Sequence, residues 1–252
     1  VELGSNDGIM LRNFASQNFR HLGIEPSKNV GDAARESGVN TICEFFGEDV
    51  AGSIVGEYGQ ADALLAANVM CHIPDLTGVA KGAHALLKPD GVLVFEDPYL
   101  GDVVEKTSYD QIYDEHVFVF CALSVANAFG RHGFELIDVE PQITHGGSMR
   151  YTLAKKGARH ASDAVAALIA KETALGLDRP ETFDKFRQNC EASRDQLMAV
   201  LNDLREKGVR VFGYGATSKS TTVMNYCGIT PAHIAFISDT TPTKQGKCTP
   251  GA

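Results

Sequence analysis

Two stretches of this sequence hold residue types that could do chemistry. One is Tyr109-Asp110-Gln111-Ile112-Tyr113-Asp114-Glu115-His116. An imidazole titrates near neutrality, so His116 suits a general base, and Glu115 or Tyr113 could orient it or hydrogen-bond an oxyanion. The same octapeptide has a plainer reading, as an acidic helix cap with a surface histidine. The other stretch is the opening Val1-Glu2-Leu3-Gly4-Ser5-Asn6-Asp7-Gly8. Gly4 and Gly8 let backbone approach a ligand closely, and Asn6 tolerates the left-handed conformation that a tight turn needs.

The elements around these residues must put them on one edge of a sheet. Val1 to Leu3 is read as a strand that breaks into the glycine turn, and Ile9 to Phe14, on to Phe19, as the helix that follows. Leu22 to Pro26 is a short second strand with Glu25 at its tip, where an acid can bind both hydroxyls of an adenosyl ribose. Ser27 to Ser37 is helix, Thr41 to Phe46 a third strand and Glu48 to Tyr58 helix. Ala61 to Ala67 is a near-continuous apolar fourth strand, as a parallel sheet covered on both faces requires. Its carboxyl end carries Asn68 and His72, on the edge where open α/β sheets bind ligands. Helix over 75–88, a turn at Lys88 to Gly91 and a fifth strand at Gly91 to Phe95 complete five alternations, which predict a parallel, doubly wound sheet.

Residues 134–141 and 148–155 are read as an antiparallel pair joined across His145-Gly146-Gly147, closing a first domain at 1–155. Residues 156–252 form a helical linker, Ala161 to Lys207 with a break near Gly176 to Pro180, and then a smaller α/β unit. That unit has a strand entering Gly213-Tyr214-Gly215-Ala216, a helix from Lys219 to Tyr226 and a strand from Ile234 to Ile237.

The opening loop is not a dinucleotide fingerprint, because Asn6 stands where G-x-G-x-x-G has its second glycine. With Glu2 and Asp7 beside it, the loop suits a cationic ligand better than a pyrophosphate, and a sulfonium such as S-adenosylmethionine (SAM) fits. Composition agrees with a globular enzyme: 252 residues, 44% hydrophobic and 22% charged. A formal net charge of -9 argues against nucleic acid or an anionic membrane surface as partner. No run reaches membrane-spanning length and no signal peptide is present, so a cytoplasmic location is expected. The six cysteines are scattered and form no C-x-x-C. Cys71 and His72 are adjacent, an arrangement that seldom ligates twice, so no metal site is expected together with His116 and Cys121. The abrupt ends point to a fragment of a longer protein.

Six motifs in order resemble the SAM-dependent sugar C-methyltransferase family: V-E-L-G-S-N-D-G, N-V-M-C-H-I, Y-D-E-H-V-F-V-F, H-G-G-S-M-R, G-Y-G-A-T-S-K and D-T-T-P-T-K-Q-G-K. They span nearly the whole chain. The resemblance implies a class I methyltransferase domain, followed by a Rossmann-like domain, acting on a ring carbon of nucleotide-linked keto-deoxysugars. It implies Gly4, Asn6, Asp7 and Gly8 around SAM, Glu25 on the ribose, His116 as base, Tyr113, Glu115 and His72 in the site, and the His145 to Arg150 segment and Lys219 on the sugar nucleotide. Relatives begin with a zinc-binding domain that this chain lacks, and many have histidine where Asp114 stands. Two other readings stay open: an NAD-dependent oxidoreductase in the same crevice, and a non-catalytic module that holds SAM or a nucleotide-sugar.

Overall fold

The computed structural model describes residues 1–251. The first elements are β1 (Glu2–Leu3), α1 (Arg12–Ala15), β2 (Gly23–Ile24), α2 (Lys28–Glu36), β3 (Thr41–Ile42) and α3 (Glu48–Tyr58). Then come β4 (Ala61–Ala67), α4 (Leu76–Leu86), β5 (Leu87–Pro98), α5 (Leu100–Lys106) and α6 (Ala122–Gly130). The chain continues through β6 (Phe134–Gln142), β7 (Ser148–Lys155), α7 (Asp163–Leu175), α8 (Pro180–Glu206), β8 (Gly213–Tyr214), α9 (Ser218–Cys227) and β9 (Ile237–Ser238).

The main sheet has the order β3-β2-β1-β4-β5-β7-β6. β1 to β5 pair in parallel, and β7 runs antiparallel between β5 and β6. Strand order reverses at β1, so the loops leaving β1 and β4 flank the crevice that such sheets use for ligands. The core gathers on the β5–β7 side, where Phe95 meets Phe120, Phe129 and Tyr151 at centroid distances of 5.5, 5.7 and 5.0 Å. Burying these rings contributes on the order of 2 kcal/mol per side chain.

Several local expectations change. The first helix is only four residues long. Ile9, Phe14 and Phe19 recur every five residues, which spreads them around a helix instead of aligning them on one face. Asn18, with φ 59°, turns the chain, and Phe14 and Phe19 meet edge to face at 6.2 Å. The turn expected at Lys88 to Gly91 lies inside β5 as a bulge: two steps along β4, Ala61 to Ala63, face five along β5, Leu87 to Val92. The helices α5 and α6 fall in a stretch read by its chemistry alone.

The chain divides into two compact units, Val1–Gly101 with Val117–Asp178, and Asp102–His116 with the chain from Arg179 on. The division into these units falls after α7, and the Tyr109 to His116 stretch belongs to the second unit. In the first unit Glu172 of α7 explains where the helix goes. It is fully buried, and its two carboxylate oxygens accept the Ala122 and Leu123 N–H groups at 2.8 Å each, at the start of α6. An anion there satisfies two otherwise orphaned donors and complements the helix dipole. In the second unit α8 and α9 enclose a small core of Leu201, Met224, Cys227 and Ile229, beside the parallel pair β8–β9.

Replacing Glu172 with Ala strands two buried N–H groups, so a loss of about 2–4 kcal/mol is expected in chemical denaturation. A loss below about 0.5 kcal/mol would show that the pair of hydrogen bonds does not hold α6.

Candidate active site

The loop after β1 is built by backbone bonds and one carboxylate. Gly4 N–H donates to Ile24 O at 2.8 Å, and Gly8 N–H to Ser5 O at 2.9 Å. Glu25, buried at the tip of β2, accepts Asn6 N–H on Oε2 at 3.0 Å and Ser27 N–H on Oε1 at 2.9 Å. Each carboxylate oxygen keeps a second lone pair for a ligand hydroxyl. Gly4 has φ +60°, and a Cβ there would sit 2.5 Å from Val69 Cγ2 on the opposite wall of the crevice. Asn6 also takes the left-handed conformation, with φ 51°. Asp7 turns back on the loop, accepting Ile9 N–H at 3.2 Å and pairing with Arg12 at 3.4 Å. Asn68 closes the far side, with φ 55° and its N–H on Glu96 O at 2.7 Å.

This cradle fits an adenosyl ligand: close glycine backbone at the switch point and an acid at the tip of β2. The electrostatic part of the expectation changes at Glu2. Its carboxyl is buried, Oε2 has no hydrogen-bond partner, and burial pushes its pKa up to about 7. Near neutrality Glu2 is thus partly uncharged. Ser5, with a buried hydroxyl that has no partner, was not singled out from the sequence.

β5 contributes a further acid. Asp97 is completely buried, and neither carboxylate oxygen has a partner of normal hydrogen-bond geometry. Burial pushes it up to about 7, offset in part by Cys71 and His72. The Glu96-Asp97 pair at the end of a central strand was visible in the sequence, but nothing there showed which side chain turns inward. His72 ends the one-turn helix Met70–His72, half-buried at the carboxyl edge of β4.

In the second unit His116 is half-buried and stacks on Tyr113 with ring centroids 4.0 Å apart. Its Nδ1 lies 2.8 Å from the carbonyl oxygen of Gln111. A carbonyl can only accept, so Nδ1 carries the proton and a neutral ring has its basic lone pair on Nε2. Glu115 and Asp114 are exposed. Tyr109 anchors the segment, its ring 5.1 Å from that of Tyr226 and its hydroxyl 3.7 Å from Cys227 Sγ.

The residues tied to the sugar nucleotide are differently placed. Arg150 is held between Glu96 and Glu140, at 3.0 Å from each, so its charge is already matched. His145 is exposed in the β6–β7 connection, with φ 54°. Lys219 lies in the first turn of α9, behind a Thr217–Ser220 capping box. The glycine loop before it is clipped shut: Asp239 accepts Ala216 N–H at 2.7 Å and Thr241 N–H at 2.8 Å, and these bonds bring its pKa to about 2. Lys244 Nζ donates to Ala216 O at 2.7 Å. The D-T-T-P-T-K-Q-G-K motif thus locks the G-Y-G-A-T-S-K loop from within.

A cleft of about 510 Å³ lies among Val1, Phe14, Phe19, Leu22, Tyr58 and Ala61, at the amino ends of the strands. It is on the opposite edge from the glycine loop and holds none of these groups.

An antiparallel β7 between β5 and β6, with acid-tipped loops over the switch point, defines a class I methyltransferase-type domain. The chain belongs to the methyltransferase family: residues 1–139 match the methyltransferase domain, and residues 143–252 the C-methyltransferase C-terminal domain. It is 35% identical over 253 aligned residues to the C-methyltransferase NovU of Streptomyces niveus, covering all of this chain and 60% of that protein. The chain therefore spans under two thirds of that relative's length. Among solved structures it is similar to a SAM-dependent methyltransferase from Anabaena variabilis, at 16% identity and TM-score 0.48, covering 62% of this chain and 76% of that one. It is also similar to a magnesium protoporphyrin IX methyltransferase from Synechocystis with bound SAH, at 13% identity and TM-score 0.46, covering 62% and 73%.

Two measurements follow from the loop and the buried acids. Gly4→Ala forces a Cβ into Val69 at a positive φ, so a loss of about 1–3 kcal/mol is expected in denaturant titration; an unchanged midpoint would mean that the loop is not so built. Asp97 and Glu2 bind a proton more tightly folded than unfolded, so their contribution to stability falls as pH rises from about 4 to about 7 and is flat above. Asp97→Asn and Glu2→Gln should each lessen that fall in melting temperature; a slope equal to wild type would contradict the assignment.

Proposed function

We propose that the chain is the catalytic part of a SAM-dependent C-methyltransferase whose acceptor is a nucleotide-linked keto-deoxysugar. The observation that carries this reading is the commitment of His116 Nδ1 to Gln111 O, which assigns the role of base to Nε2, in a chain of the methyltransferase family. SAM supplies an electrophilic methyl group. Gly4, Asn6 and Gly8 give the donor its close backbone contact, and Glu25 takes the ribose hydroxyls. Glu2, Asp7 and Asn68 border the same crevice.

A carbon next to a ketone is acidic enough for an imidazole to deprotonate. His116 Nε2 takes that proton, and its Gln111 contact supports the imidazolium that forms. Tyr113, stacked on the ring, fixes its plane, and Tyr113, Glu115 and His72 are assigned to orienting the sugar and stabilising the enolate oxygen. His145, Arg150 and Lys219 are assigned to the sugar nucleotide, with Arg150 acting as part of the Glu96–Arg150–Glu140 array. Cytoplasmic sugar metabolism is the expected setting, and no helix among the described residues is long and apolar enough to cross a membrane.

His116→Ala is expected to bind SAM as wild type does in calorimetric titration, and to lose about a hundredfold to ten-thousandfold in turnover by mass-detected product. Full turnover in the variant would dismiss His116 as the base. Loss of SAM binding in wild type would dismiss the reading as a whole.

A further inference from the structure

Two acids are fully buried in the first unit, and they are used in opposite ways. Glu172 has both oxygens filled by backbone N–H groups and is a structural acceptor. Asp97 is as deeply buried, with neither oxygen satisfied. A native fold rarely leaves such a group without a reason, because an unpartnered buried carboxylate costs several kcal/mol and contributes no hydrogen bond in return.

Its surroundings indicate the reason. Asp97 follows Phe95 and Glu96 at the carboxyl end of β5, paired in register with Met149 of β7. The groups facing it are the Cys71 thiol and N–H and the His72 ring from the one-turn helix, Glu96 of its own strand, and Tyr151 of β7. Tyr151 is itself influenced by Glu172, Cys121 and Tyr99. No arginine or lysine is among these neighbours. The donors nearest to Asp97 therefore belong to the 70–72 turn, whose Cys71 carbonyl is held from the other side by Phe118 N–H at 3.2 Å.

We propose that Asp97 is a positioning residue for methyl transfer: as an un-ionised acid it lets the 70–72 turn hold His72 in place, and its ionisation displaces that turn. The proposal rests on the reading above that His72 belongs to the active site. A neutral carboxyl is tolerated where it lies. Once it loses its proton to solvent, the carboxylate must recruit donors, and those within reach are Cys71 N–H and its thiol. The turn then shifts toward β5 and takes His72 with it. The pH at which this happens is near neutrality, since burial pushes the Asp97 carboxyl up to about 7.

The test uses the full-length protein with aspartate labelled with ¹³C at the side-chain carboxyl, titrated from pH 5 to 9 by NMR. One aspartate is expected to titrate near 7 and to vanish in Asp97→Asn, while the Cys71 and His72 amide resonances shift with the same midpoint in wild type and stay still in the variant. Titration of Asp97 in the ordinary carboxylate range, or amides that ignore it, would overturn the proposal. Neither readout needs an acceptor, so both decide it even if no sugar is methylated, an outcome that would instead remove the proposed function. With an active acceptor, the ratio of variant to wild-type kcat should rise about fivefold between pH 7 and 8, with KM for SAM unchanged. Parallel pH profiles would overturn the catalytic half. Should the variant fail to fold, the wild-type titration of the amides against the carboxyl carbon still gives the answer.

Discussion

The ligand edge of the first unit depends on one carboxylate. Glu25 stands at the tip of β2 and accepts backbone N–H groups from two segments, Asn6 in the loop after β1 and Ser27 at the start of α2. Without it, the left-handed Asn6 and the N–H of Ser27 would lose the acceptor that ties the turn from Gly4 to Gly8 to the tip of β2. The second unit uses the same device. Asp239, at the tip of β9, accepts Ala216 N–H from the glycine loop after β8. In both places an acid on the neighbouring parallel strand pins the glycine loop of the strand before it. The consequence differs: Glu25 has lone pairs left for a ribose, whereas the second loop is also tied by Lys244.

The buried acids differ in whether backbone donors reach them. Glu25 and Glu172 face backbone donors and act as fixed acceptors. Glu2 and Asp97 are buried without such donors, and burial pushes both up to about 7. A cradle for a cation thus need not be strongly negative. Most of its fixed charge comes from groups already committed to the backbone, and the ligand meets shape and remaining lone pairs before it meets net charge.

Much of the fold was legible because the chemistry of strands is repetitive. The apolar run from Ala61 to Ala67 and the alternation of helix and strand gave the parallel sheet, and His145-Gly146-Gly147 gave the antiparallel closure. What failed were local lengths. Ile9, Phe14 and Phe19 are apolar but spaced wrongly for one helix face, and the Lys88 to Gly91 turn residues are absorbed as a bulge. Glu172, an acid in a helix, gave no sign in the sequence that it caps α6 fifty residues earlier. Of the proposed site, the glycine loop, Glu25 and His116 stood out as motifs. Asp97 and the Arg150 array were not, because which way a side chain turns at the end of a strand, and whether a charge is already matched, are properties of packing.

The proposed function requires that the methyl group go to carbon. The most direct measurement supplies the full-length protein with SAM carrying a ¹³C methyl group and a nucleotide-linked keto-deoxysugar, then identifies by NMR the atom to which the label is attached. A methyl on the ring carbon adjacent to the ketone is the expected result. A methyl attached through oxygen would contradict it.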